Sequence, residues 1–390
     1  MSGGPDLVVV GAGVMGAWTA FWAQRAGVAT TLVDAWGAGN PRATSGDETR
    51  IIRSSHGADS FYAGWSRQAL AHWRRFGDEW AEPLFVETGV LWFAGHEDGF
   101  EAASIDTLTG LGIPIERVSI DELASRWPQI RTDDLAFAAF EPEAGAVRAR
   151  RGVLAVTRAF ERDDGQVRIA SVRPGRIEGG RLIEVTGADG LRLVADRFVF
   201  AAGPWLPELF PALLGGLVRV TRQDVLYVGP PAGDDRFDGA NLPAWVDYDG
   251  AWFGIPGIDG RAPKIGADSY GPPFDPSSGE RVIDPASVGA AREYLRRRLP
   301  GLADGPVVES RVCQYETTPD TQFIIDRHPE LDNVWIVGGG SGHGFKHGPR
   351  IGEYVVERLL GAQPNPGEER FSLTHPRGAP PGLRSGSSAV

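Results

Sequence analysis

The chain opens on an uninterrupted apolar run, Leu7, Val8, Val9 and Val10, which reads as a strand buried on both faces. A glycine-rich turn follows, then helical spacing over residues 17–26 and a second apolar strand over 30–33 that ends at Asp34. This is a βαβ opening. Phe61, Trp65, Trp73, Phe76 and Trp80 recur at helical spacing, so residues 61–80 are predicted to form a long helix packed by its aromatic face. A strand-rich stretch begins over 86–93. A helix over 148–159 comes next, then short strands over 167–169 and 182–185 and an apolar strand over 197–201. Alternating patterns return through 218–248 and 251–265 between Pro- and Gly-rich loops. The pattern closes with a buried strand over 333–337 and a helix over 351–360.

With 390 residues and 42% hydrophobic content, the chain exceeds the length at which single cores stop growing, so two domains are expected. The apolar β and α patterns recur at both ends and near residue 200, which predicts that the two domains are interleaved. No solenoid repeat is present. A net charge of -12 argues against a phosphate-backbone partner. The short run Arg148, Arg150, Arg151 reads as a solvated face. One cysteine makes no intrachain disulfide, no Cys/His spacing matches a zinc site, and a reducing cytoplasm fits. No metal is expected. The apolar start is not read as a signal peptide, because no Lys or Arg precedes it and Gly11, Gly13 and Gly16 interrupt it. No apolar stretch approaches the roughly 20 residues of a membrane span.

Gly11, Gly13, Val14, Met15 and Gly16 lie between a predicted strand and helix, and Asp34 follows Gly11 by 23 residues at the next strand's end. This is a dinucleotide signature. The glycines allow a tight turn and close backbone approach to a diphosphate at the helix N-terminus. Asp34 would accept hydrogen bonds from ribose hydroxyls. These residues leave NAD and FAD both open.

Further along lie Cys313, Gln314, Tyr315, Glu316, Thr317, Thr318, Pro319 and Asp320, then the run from Phe323 to Pro329. These lead into Gly338, Gly339, Gly340, Ser341, Gly342, His343, Gly344, Phe345 and Lys346. With the segment from Gly46 to Arg53, and Phe253 to Pro256 followed by Lys264 to Asp268, they resemble the monomeric sarcosine oxidase and N-methyltryptophan oxidase group of D-amino acid oxidase-like flavin enzymes. Fructosyl amino acid oxidases resemble the chain more distantly. The resemblance spans roughly residues 6–370. It implies an α/β fold: a Rossmann-type FAD-binding domain of residues 1–82, 148–217 and 321–370, interleaved with an antiparallel-sheet α+β substrate domain of 83–147 and 218–320. Residues 371–390, rich in Pro, Gly and Ser, are expected to be poorly ordered.

The resemblance also implies roles. Cys313 stands where the family tethers FAD covalently. Of 39 basic residues only two are lysines, Lys264 and Lys346, which marks them as positions where a compact ammonium is wanted. Lys264 matches the cation on the oxygen side of the flavin, Arg50 an arginine against the flavin ring, and Arg53 with Lys346 the grip on a substrate carboxylate. Tyr315 matches an active-site tyrosine, and His343 is expected in the same pocket. Ser45, Thr49, Gly203, Trp205, Gly340, Gly342 and Gly344 are expected to contact the cofactor. Phe253 replaces a second family tyrosine and Asp268 a histidine, so sarcosine itself is not the expected substrate. The resemblance implies a monomeric oxidase of a secondary or cyclic amino acid that reduces O2 to H2O2. A flavin dehydrogenase, a biosynthetic tailoring oxidase, a fructosyl amino acid oxidase-like enzyme and a non-catalytic flavin-binding protein stand as alternatives.

Overall fold

The structure is a computed structural model that describes residues 5–188 and 190–378. Leu7–Val10 lies at the centre of a six-stranded sheet, with Arg197–Phe200 and Thr30–Asp34 beside it, all parallel. Val334–Gly338 extends one side and Gln166–Ile169 the other, and Ile324–Arg327 closes an edge antiparallel to Val334–Gly338. The near-complete burial of Leu7, Val8, Val9 and Val10 follows from helices and a small three-stranded sheet covering the two faces.

Helix Val14–Arg25 packs between this sheet, Gly348–Leu359 and Ala149–Arg162. Being enclosed, it is apolar nearly all round rather than striped. The predicted helix starts three residues late, because the turn before it leaves the sheet at Gly13.

The second body is an eight-stranded sheet in the order Val307–Thr317, Arg219–Val228, Lys264–Ala267, Trp252–Ile255, Ala244–Asp247, Val90–Ala94, Phe137–Glu141 and Glu116–Val118. Every pairing in it is antiparallel except that of Ala244–Asp247 with Val90–Ala94. A small sheet, Thr49–Ile52 with Gly145–Arg148 and Phe85–Val86, stands where the two bodies meet. Helices Phe100–Gly110, Ile120–Arg126 and Pro285–Arg298, together with the strand Val307–Thr317, lie outside the predicted pattern.

Helix Ser60–Glu79 is capped by Asp59, whose carboxylate accepts from the N–H groups of Phe61 and Tyr62. Its aromatic face packs as expected: Trp73 and Phe76 are fully buried against Trp18. Trp73 also donates its indole N–H to the Lys346 carbonyl at 2.8 Å, so the same face anchors the turn that carries a candidate site residue.

The expectation of a poorly ordered tail from residue 371 is corrected for the described part. Phe371 is fully buried, 4.8 Å from Trp65 between ring centroids and stacked on Phe323, and Arg377 pairs with Asp320 at 3.0 Å. One aromatic anchor outweighs a Pro- and Gly-rich composition here. Residues 379–390 lie outside the described residues. Phe371→Ala is expected to cost about 3–5 kcal/mol of stability, read as a lowered midpoint in urea unfolding with the slope unchanged.

Candidate active site

A cavity of about 390 Å³ runs between the two bodies. At its nucleotide end, Gly11 adopts φ +105°, and a side chain there would strike the Ala201 carbonyl. Gly16 carries no side chain because one would meet the Gly11 carbonyl oxygen, so helix and strand close tightly. Asp34 Oδ2 accepts from the Ala12 amide at 2.8 Å, and Ser45 Oγ accepts from Val14 N–H at 3.3 Å. Gly11, Gly13, Val14, Met15, Asp34, Ser45, Gly203, Trp205, Gly340, Gly342 and Gly344 all line the cavity. Gly16 stays behind the turn, as its packing task requires. This glycine-lined cleft, with an acidic residue at one end, fits a dinucleotide.

Glu316, unmarked by the sequence, lines the same end at 5% exposure. Its Oε1 accepts from Gly340 N–H at 3.4 Å, and its Oε2 is buried with no hydrogen-bond partner among the described residues. Burial pushes this carboxyl up to about 7, against the Gly340 and Gly339 amides that favour its anion.

In the middle of the cavity lies a cluster of buried charge. Lys264 is 2% exposed and donates to Asp47 Oδ2 at 2.7 Å and to the Thr49 carbonyl at 2.6 Å. Arg50 donates to Asp47 Oδ2 at 2.8 Å, to the Thr44 carbonyl at 2.7 Å, and to Cys313 Sγ at 3.5 Å. Tyr227 Oη donates to Asp47 Oδ1 at 2.6 Å. Burial lowers the Lys264 ammonium to about 8, with Asp47 opposing the fall and Arg50 adding to it. Burial alone would raise the Asp47 carboxyl, but Lys264 and Arg50 outweigh it and hold the group far below the usual carboxylate range. Arg50 is likewise disfavoured by burial, yet Cys313 and Asp47 raise its pKa. Thr49 does not line the cavity as expected; its peptide turns the carbonyl towards Lys264 and Arg50 instead.

Arg53, Phe253, Asp268, Tyr315, His343 and Lys346 line the remaining part of the cavity. Lys346 is buried and donates to the His343 carbonyl at 3.2 Å. The Arg53 guanidinium lies 4.9 Å over the Trp92 ring. Buried Glu141 fixes this segment, accepting from the Ser54 and Ser55 amides and from Trp92 Nε1 at 2.9 Å. Tyr315 donates to Asp268 Oδ1 at 3.1 Å, and Phe253 lies 6.0 Å from the Lys264 ammonium. Trp92, Phe100 and Tyr248 form an aromatic wall, with Phe100 stacked on Tyr248 at 4.2 Å.

Two further histidines escaped the sequence reading. Ring nitrogens of His56, His343 and His347 lie within 4.8 Å of one another. Burial pushes His56 and His347 well below the ordinary histidine value, and Arg53 and Lys346 push the same way. That positive field opposes a divalent cation and suits an anion. Asp47 was legible only as a letter in a motif; its partner Lys264 lies 217 residues away.

The family described as FAD dependent oxidoreductase matches residues 6–358, and the chain belongs to that family. It is 29% identical over 381 residues to a monomeric sarcosine oxidase of Bacillus sp. (strain B-0618), covering 95% of this chain and 96% of the relative. It is 29% identical over 376 residues to an N-methyl-L-tryptophan oxidase of Salmonella arizonae (strain ATCC BAA-731 / CDC346-86 / RSK2980), covering 95% and 97%. The crystal structure of L-proline dehydrogenase from P. horikoshii shares the fold, with a TM-score of 0.83 at 18% identity over 96% of this chain and 98% of that one. The residues of the glycine-lined cleft fit the FAD that this family uses.

Glu316 makes a pH-dependent contribution. Its folded-state pKa of about 7 lies above the ordinary 4.5, so the folded protein binds the extra proton and stability falls as pH rises through that window. Glu316→Gln should melt higher than the parent protein at about pH 8.5 and close to it at about pH 4. An identical offset at both values would remove the assignment.

Proposed function

We propose that the chain oxidises a secondary or cyclic amino acid at the carbon beside nitrogen and passes the electrons through FAD to O2, with H2O2 as product. One observation carries this reading: two separate pairs of cations, buried Lys264 with part-buried Arg50 and buried Lys346 with part-buried Arg53, line one cavity. Bound FAD supplies the acceptor, taking two electrons and a hydrogen from the substrate carbon and returning the electrons to O2.

Arg53 and Lys346 hold the substrate carboxylate, beside His56 and His347, whose basicity burial and these two cations lower. A carboxylate gripped by two cations fixes the C–N bond and shortens the search for a reactive pose. The aromatic wall takes an apolar substituent. Tyr315 and Asp268 hold each other, so neither is cast as a strong base; the amine needs only to arrive neutral and be oriented. Lys264 faces the developing negative charge on O2, which a fixed cation in a water-poor site stabilises. Cys313 Sγ, beside Arg50, is the atom assigned to the covalent link with FAD. Asp268 supports a second reading, in which a polyhydroxylated or cationic group on the substrate nitrogen meets its carboxylate.

A panel of N-substituted amino acids, each mixed anaerobically with the yellow protein and then with air, tests the reading. The expected result is bleaching by at least one carboxylate-bearing amine and peroxide on reoxidation; reduction without peroxide would indicate a dehydrogenase. Acid-precipitated protein should stay yellow, and Cys313→Ser protein should release its flavin. Lys346→Ala should weaken binding of a carboxylate inhibitor by roughly 10- to 150-fold, since a charge-assisted contact is worth about 1.5–3 kcal/mol. A decarboxylated analogue should be affected less.

A further inference from the structure

An ammonium buried as deeply as that of Lys264 does not keep its proton unaided. The groups that face it are Asp47, Arg50, Cys313, the Thr49 carbonyl and the ring of Phe253, with Tyr227 and Arg311 standing behind Asp47. Arg50 is a like charge and works with burial against the ammonium. Asp47 is the carboxylate in contact with it, at 2.7 Å.

The carboxylate is itself held on both oxygens. Oδ1 accepts from Tyr227 Oη at 2.6 Å and from the Glu48 amide at 2.8 Å, while Oδ2 accepts from Lys264 and Arg50. Arg311 adds a positive charge 3.6 Å from Oδ1. Four donors leave the carboxylate no freedom to rotate, and the ammonium it holds is fixed at the cavity wall.

We propose that Asp47 is a positioning residue for oxygen reduction: its ion pair with Lys264 sets both the location and the protonation of the cation that O2 meets. The assignment rests on the reading of Lys264 as the oxygen-side cation. In that reaction O2 takes two electrons from the reduced cofactor and leaves as H2O2 with the two hydrogens the amine gave up. Lys264 keeps its proton and Asp47 its charge throughout. Without Asp47, burial and Arg50 act on Lys264 uncompensated, so the amine turns neutral at lower pH and loses its fixed direction.

Stopped-flow reoxidation of the anaerobically reduced holoenzyme, followed across pH, tests this. In the parent enzyme the rate constant for O2 should fall as pH rises through about 8. In Asp47→Asn the midpoint should move down by at least about one unit, which lowers the rate roughly 2-fold at pH 7, roughly 5-fold at pH 8 and towards 10-fold above that, with little change at low pH. Reduction by substrate should change little in that variant. A merely structural role for Asp47 would slow reoxidation equally at every pH, and that outcome, or an unchanged rate and midpoint, overturns the proposal. If Asp47→Asn yields no yellow protein, Asp47→Glu carries the test: its longer side chain cannot keep both the Tyr227 and Lys264 contacts, so the midpoint should fall by a smaller amount. A parental midpoint and rate in Asp47→Glu overturn the proposal. Lys264→Met separates the two claims, because parental reoxidation in that variant would sink the oxygen-side reading of Lys264 itself.

Discussion

A buried lysine ammonium and a part-buried arginine guanidinium in the same wall repel each other, so the structure must supply negative charge at the same place. Asp47 supplies it, from a loop pinned between the small bridging sheet and the long strand pair of the second body. Removing one partner from such a buried cluster leaves an uncompensated charge, at a cost of roughly 3–5 kcal/mol. The geometry around Lys264 therefore depends on the segment 44–53. That same segment presents Arg50 to Cys313 and Arg53 to the opposite part of the cavity.

The part of the cavity around Lys346 and Arg53 is built differently. Here the cations are fixed by aromatic anchors: Lys346 is anchored through its own carbonyl by Trp73, and Arg53 rests on Trp92, whose indole is tied to Glu141. His56 and His347, which burial holds below the ordinary histidine value, add hydrogen-bonding capacity beside them.

Much of the fold was legible because its signals are local. The residues Leu7 to Val10, the glycine turn and Asp34 lie within one βαβ unit, and the scarcity of lysine pointed to the two ammonium groups that the structure buries. Long-range pairings were not legible. Asp47 and Lys264, or His56 and His347, carry no mutual signal until the fold brings them together. Helix Pro285–Arg298 was missed because it is rich in charge and lies on the outside of the sheet, and strand Val307–Thr317 because Glu309 and Arg311 interrupt its apolar alternation. The tail misled in the other direction, since composition outvoted the single aromatic residue, Phe371, that docks it.

The account's central claim is that the two cation sets serve separate half-reactions. The most direct measurement is rapid-mixing kinetics of both half-reactions in Lys264→Met and in Lys346→Ala, compared with the parent holoenzyme. The account predicts a double dissociation: Lys264→Met slows reoxidation by roughly 100-fold or more, as expected for loss of about 3 kcal/mol of preorganised charge stabilisation, and leaves reduction nearly intact, while Lys346→Ala weakens substrate binding and leaves reoxidation intact. Equal slowing of both half-reactions in both variants would contradict it.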